Sequence, residues 1–152
     1  MNRPIHLGLA RRVFSFILIA ATACGDGIGP VNDLARAESR WREHGTDTYT
    51  LALTRSCFCA EGAVGLVTVS VRNGVVESRR YSDESPVPTD LQGAWPDVPG
   101  LFALIGDALR RDADISVTYH PVHGAPTEVA IDYEPRMVDD EMFYSAAVSM
   151  PR

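Results

Sequence analysis

Two cysteines one residue apart, Cys57 and Cys59 in "RSCFCAEG", have the widest choice of chemistry in this 152-residue chain. They can form a disulfide, an exchange-active redox pair, half of a metal site, or a reduced pair in a core. A disulfide is geometrically demanding, because Cα atoms two residues apart in a regular strand stand ~6.5–7 Å from each other, at the upper limit for bridging. A bulge or tight turn at Phe58 would bring them into range, and Gly62 and Gly65 mark a strand end nearby. An exchange-active pair would lack the helix N-terminus that lowers the thiol pKa in C-x-x-C motifs. Two thiolates alone supply half of a tetrahedral metal site. A structural disulfide leads, and the other states stay open.

His120 and His123 in "HPVHG" form the one close histidine pair. Their spacing could set two imidazoles around one ion, with Cys57 and Cys59 as further ligands. Pro121, Gly124 and Pro126 favour a plainer reading, a hairpin turn in which the histidines are incidental. The acids Asp132, Glu134, Asp139, Asp140 and Glu141 could serve calcium, which takes six to eight oxygens. Their spacing matches no calcium loop, and a strand would point Asp132 to solvent, so a solvated acidic face with Arg136 as local partner is the better reading. His120, His123, Asp132, Asp139 and Asp140 stand as candidate binding residues. There is no G-x-S-x-G, H-E-x-x-H or P-loop pattern, so no catalytic residue, metal or cofactor is expected.

The state of the cysteines depends on the compartment. Arg3, Arg11 and Arg12 precede the apolar run "VFSFILIAATA", about half of the ~20 residues that a bilayer-spanning helix requires. That pattern is a secretory signal over residues 1–23. Ala21-Thr22-Ala23 could be cut to release a soluble protein. Followed by Cys24, the same residues also match a lipobox, in which Cys24 becomes lipidated and is the mature N-terminus. "GDGIGP" then forms a flexible tether over residues 24–30, and a lipid-anchored protein facing the periplasm or cell exterior is the expectation. Lipidation also settles the cysteine count, leaving Cys57 and Cys59 as one pair in a disulfide-permissive compartment.

Loss of the signal leaves 129 residues, one ordinary domain. It removes three arginines and no acids, taking the formal charge from −6 to −9. Such a surface disfavours nucleic acid, whose affinity comes from basic groups on phosphates. The chain has no lysine, a compositional bias without chemical consequence.

The elements that must position these residues follow from periodicity. "VNDLARAESRWREHG" predicts a surface helix, capped by Asn32 or Asp33, with Leu34, Ala37 and Trp41 on one face and Gly45 at the exit. From Asp47 the period becomes two, and a strand continued without a break carries both cysteines on its core side. Val67, Val69 and Val71 form a second strand, and Asn73-Gly74 a type I′ turn. The returning strand, Val75 to Tyr81, alternates poorly, with Val76, Ser78 and Arg80 on one face, which suits a sheet edge. A proline-rich connection, 82–100, packs at least partly through Leu91 and Trp95. Asp97 caps a second helix with Leu101, Phe102, Ile105 and Leu109 inward. Three further strands carry Ile115, Val117 and Tyr119, then Val129, Ile131 and Tyr133, then Tyr144, Ala146 and Val148. The result is an α+β domain over residues 31–152: an antiparallel sheet of about six strands with two helices packed on one side.

These signs together resemble a family. The tryptophan helix, the Y-x-L strand into "SCFC", the valine hairpin with "NG", "GLFALI" and "YHPVHGAPTEVAIDYEPRMVDDEMFY" are similar to a bacterial lipoprotein family known only as domain of unknown function 6174. The similarity runs from about Trp41 to Val148. Its most specific residues are Tyr119, Pro121, Gly124, Pro126, Ile131-Asp132 and Asp139-Asp140. The chain departs at His120, where the resemblance leads one to expect an aspartate. The resemblance implies an exported, usually lipid-anchored α+β domain and no assigned activity. The functional expectation is a non-enzymatic envelope module that binds an envelope protein or small ligand through its open sheet face or its proline-rich loop. The competing expectation is a thiol-redox or metal-handling protein using Cys57 and Cys59.

Overall fold

The computed structural model describes residues 29–134, 136–137 and 139–151. The helix α1 (Pro30–His44) leads into the strands β1 (Tyr49–Cys57), β2 (Gly65–Arg72) and β3 (Val75–Tyr81). A long connection with a single 3-10 turn (Gln92–Ala94) reaches α2 (Val98–Arg110), then β4 (Asp114–Tyr119), β5 (Pro126–Asp132) and β6 (Glu141–Ser149). The six strands form one antiparallel sheet in the order β3-β2-β1-β6-β5-β4. This is the α+β architecture expected from the sequence.

Alternation decides which face is dry. Tyr49, Leu51 and Leu53 of β1, Val67, Val69 and Val71 of β2, Val129 and Ile131 of β5, and Tyr144 and Ala146 of β6 are buried. They meet Leu101, Phe102 and Ile105 of α2, and Ala37 of α1. Each large aliphatic side chain buried this way stabilises the fold by ~1.5–3 kcal/mol. In α2 the Asp97 side chain accepts a hydrogen bond from Gly100 N–H at 2.9 Å, the predicted cap. α1 differs from its expectation: Gly29 is its N-cap and Pro30 occupies the first turn, whereas Asn32 and Asp33 lie inside the helix. Proline's fixed φ suits that position, where its missing N–H costs nothing.

Turn chemistry sets the hairpins. Asn73 and Gly74 have φ of 51° and 74°, the positive values a type I′ turn requires. The poor alternation of β3 has a structural cause. The register with β2 shifts between Ser70 and Val71, so that Val71 faces Val76 and Ser70 faces Ser78. The extra residue, Glu77, reverses the alternation. Val76 therefore lies on the core side with Arg79 and Tyr81, and not with Ser78 and Arg80 as unbroken alternation would have it. At the other end of the sheet, Gly124 (φ 77°) turns the β4–β5 hairpin against α1. A Cβ there would collide with the Ala37 carbonyl and the Arg40 side chain.

The proline-rich connection is part of the body. Trp95 is fully buried and Val87 nearly so. Three bonds to sheet side chains hold the backbone of its last stretch, residues 94–98: Arg79 Nε donates to the Trp95 carbonyl at 2.6 Å, Tyr144 O–H donates to the Ala94 carbonyl at 3.1 Å, and Val98 N–H donates to Tyr49 Oη at 3.1 Å. Burial, with a smaller contribution from Asp97, pushes the Tyr49 hydroxyl pKa up to about 12, so it stays protonated at any physiological pH. Residues 85–87 also line the outer edge of β3, with Tyr81 N–H donating to Ser85 O and Val87 N–H to Arg79 O, both at 2.9 Å.

Urea denaturation should rank two substitutions in this connection. Trp95→Ala empties a buried indole site and should cost ~3–5 kcal/mol, whereas Tyr144→Phe removes one hydrogen bond and should cost ~1 kcal/mol. Equal, small costs would mean that the connection is not packed into the core.

Candidate functional site

The strand residues that alternate with the core face form an open surface, on which no helix lies among the described residues. At its centre Thr54 of β1 stands opposite Ser145 of β6, which stands opposite Glu128 of β5, which stands opposite Thr118 of β4. The next row carries Ser56, Phe143, Ala130 and Ser116. These rows floor an open hollow of about 330 Å³. Serine and threonine hydroxyls donate and accept hydrogen bonds, and short side chains keep the floor shallow. Beside it the surface turns apolar. Phe143 is half exposed, Leu66 stands opposite Thr54 on the β2 side, and Phe58 is 80% exposed just past the end of β1.

Cys57 and Cys59 stand at that apolar corner. β1 ends at Cys57, and the chain leaves strand geometry at Phe58, bringing the two Cα atoms to 5.3 Å and the two sulfurs to bonding distance. That Cα separation is within disulfide range. The unbroken strand expected to carry both cysteines on its core side is corrected here: Cys57 is half-buried and Cys59 is exposed. The turn is held from beneath. Arg55 Nη1 donates to the Ala63 carbonyl at 2.7 Å, and Tyr81 O–H donates to the Gly62 carbonyl at 2.7 Å.

The histidines lie at the opposite end of the sheet from the cysteines. β1 runs from Tyr49, whose ring contacts Trp41, to Cys57, and Trp41 in turn contacts His123. Nine residues of strand, roughly 26 Å, separate the two pairs, so they cannot share an ion. The imidazoles of His120 and His123 stack with centroids 3.6 Å apart and planes 3° from parallel. Lone pairs in parallel planes do not converge on one metal. The Nδ1 atoms are also engaged: His120 Nδ1 accepts from Val122 N–H at 3.2 Å and His123 N–H at 3.4 Å, and His123 Nδ1 accepts from Ala125 N–H at 3.2 Å. Acceptance from the residue two positions on is what an aspartate side chain does in an Asx-turn. His120 therefore performs a turn-capping role open to the aspartate that the resemblance leads one to expect there.

The acids lie at the cysteine end. Asp114, Asp132 and Glu141 form one lateral row across β4, β5 and β6 on the open side. The Asp132 carboxylate accepts from Glu134 N–H at 3.0 Å, and Arg136 pairs with Glu134 at 3.1 Å. Asp139 is exposed in the turn before β6, with Asp140 partly covered beside it. Among the described residues no group of three metal-ligating side chains comes together. The candidate binding residues are thus split between two ends of the sheet. The hydroxyl floor between them was missed in sequence, although the even-numbered Thr50, Thr54 and Ser56 of β1 were visible as its non-core side. Cys24 and the signal segment lie outside the described residues.

Burial, and then the neighbouring His120, lower the His123 pKa from its ordinary 6.5. The unfolded chain therefore takes up the proton first. The stability due to this site is complete above pH 6.5 and declines as pH falls below that, until the folded-state value is passed. Urea midpoints should be lower at pH 5.5 than at pH 7.5, and His123→Asn should narrow the gap. An unchanged gap in the variant would place the pH dependence elsewhere.

No curated protein and no solved structure matches the chain. One family model does, over residues 33–150, from the first turn of α1 to just past the end of β6. The matched segment contains every strand, both cysteines and the histidine turn, and the chain belongs to the Family of unknown function (DUF6174).

Proposed function

We propose that this protein is an exported envelope module, anchored through a lipid on Cys24, that binds a partner protein on the open face of its sheet. The observation that carries the proposal is the one-sided cover of the sheet. Both helices and the Trp95 connection occupy one face, leaving a floor of Thr54, Ser56, Ser116 and Ser145 with Phe143, Leu66 and Phe58 at one corner. A small-molecule site encloses most of its ligand in a concave pocket. A shallow hydroxyl floor beside exposed aromatic and aliphatic side chains suits a broad protein surface better. Interfaces of that kind combine an apolar centre with hydrogen-bonding surroundings. Within this reading Cys57 and Cys59 are a disulfide clasp that fixes the turn presenting Phe58. The signal pattern and the glycine-containing residues after Cys24 in the sequence, with the acidic mature charge, fit an extracytoplasmic location.

The test is crosslinking in membranes of the producing cell, comparing the full chain with Thr54→Arg and Ser145→Arg. Both positions are exposed, so the fold should persist while a partner captured by the unaltered chain is lost. A capture pattern identical in all three would remove the open face as the binding surface.

Exposure of Cys59 favours a second reading, thiol-redox or metal-handling chemistry at the Cys57–Cys59 corner. Thiol titration of the exported protein separates the two. The clasp reading expects no free thiol at Cys57 and Cys59 until a strong reductant is added. Two free thiols as isolated would defeat the clasp, and ready opening by mild reductant or stoichiometric zinc or copper would favour the second reading.

A further inference from the structure

The two edges of the sheet are treated differently. The β3 edge is covered by the chain's own residues 85–87, including a bridge from Arg80 to Pro86. The β4 edge carries none of the usual protections: "DISVTY" has no proline and no lysine, and Asp114 is its one charge. Its register with β5 shifts at Tyr119, but the extra residue, Thr127, sits on β5, leaving β4 itself regular. Among the described residues nothing covers this edge, and an uncovered regular edge is a ready template for another strand. Beside it runs a groove of about 410 Å³ lined by Pro30 and Asp33 of α1, Ile105 and Leu109 of α2, and the half-buried Ile115, Val117 and Tyr119 of β4.

We propose that β4 pairs with β4 of a second copy of this chain, antiparallel about a two-fold axis at Val117, joining two sheets into one of twelve strands. The strand's own sequence argues for this occupant. An isologous contact must be self-complementary, and pairing about Val117 is. Val117 meets the partner's Val117, Ile115 meets the partner's Tyr119, and Ser116 meets the partner's Thr118. Asp114 falls at the partner's His120, at the other end of the seam from the partner's Asp114, so the two carboxylates stay apart. Parallel pairing would instead set Asp114 against a second Asp114, a destabilising like-charge contact. The axis stands perpendicular to the sheet, so the helical faces of both copies point the same way. The two grooves then meet above the seam, each lined mainly by apolar side chains with Asp33 among them. Gly29 and Pro30 line this groove, so the described residues of both copies begin on the helical side next to the axis. On the lipid-anchor reading proposed above, that side of both copies would face one bilayer, with both open faces turned away from it.

Disulfide trapping in the exporting cell tests the register directly, using the full chain with the unaltered protein as blank. Only a residue on the axis meets itself at ~4.5–5.5 Å between Cα atoms; a residue one step away meets its own copy diagonally at ~7–8 Å, beyond disulfide reach. Val117→Cys should give a reductant-sensitive dimer on denaturing gels. Ser116→Cys and Thr118→Cys should each stay largely monomeric alone, and crosslink when co-expressed. Absence of a Val117→Cys dimer overturns the proposal, as does equal crosslinking by all three variants, which would indicate random collision. Should Val117→Cys fail to accumulate, the Ser116→Cys and Thr118→Cys pair, both on the exposed face, decides alone: no heterodimer, no β4 seam.

Discussion

The pairing of β1 with β6 holds this domain together. It runs from Thr50 opposite Ser149 to Cys57 opposite Met142, and among the described residues it is the only ladder joining β3-β2-β1 to β6-β5-β4. Either half alone would be a three-stranded sheet with a small apolar face. Joined, they present one continuous surface of Leu51, Leu53, Val67, Val69, Val129, Ile131 and Tyr144, broad enough for α2 and the Trp95 connection to cover. The same ladder creates the open side, because Thr54–Ser145 and Ser56–Phe143 are pairs across it. The contact joins the first strand to the last, so its loop-closure entropy must be met before it stabilises anything.

The connections laid over the sheet are tied back to it by polar side chains from its own core-facing side. Tyr49, Arg79 and Tyr144 hold the backbone of the long connection, while Arg55 and Tyr81 hold the turn after the cysteines. In each of them a hydroxyl or guanidinium reaches the loop backbone while the rest of the side chain stays packed. Tyr49 and Tyr144 are buried, whereas among the described residues no charged side chain is. The loops thereby become part of the scaffold, and the open face owes its fixed shape to a body that is rigid behind it. The two ends of the sheet differ in character as a result. One end holds the stacked histidine turn against α1, and the other gathers the cysteines, the acid row and the exposed aromatics.

Much of this was legible in the residues because its causes are local. Alternation in β1, β2 and β5, the Asn73-Gly74 turn, the Asp97 cap and the Leu101-Phe102-Ile105 stripe each reflect sterics or hydrogen-bond reach within a few positions. Features that misled also have identifiable causes. The β3 bulge depends on its partner strand, and the α1 cap falls on Gly29, a residue with no side chain to advertise it. The end of β1 at Cys57 depends on how Arg55 and Tyr81 hold the following turn.

By itself, then, the sequence determined the class of the domain, the number and order of its elements, the inward residues of most strands, and a family membership spanning them. Tertiary structure alone decided that β6 lies beside β1, which edge is covered, and that the histidine and cysteine pairs stand at opposite ends. It also gathered Thr54, Ser145, Glu128 and Thr118 into one row, from positions up to ninety-one residues apart. The physical reason is range. Backbone sterics and side-chain period act over a few residues and leave a mark in any short window, whereas strand order and register come from burying one shared face, a property of the whole chain.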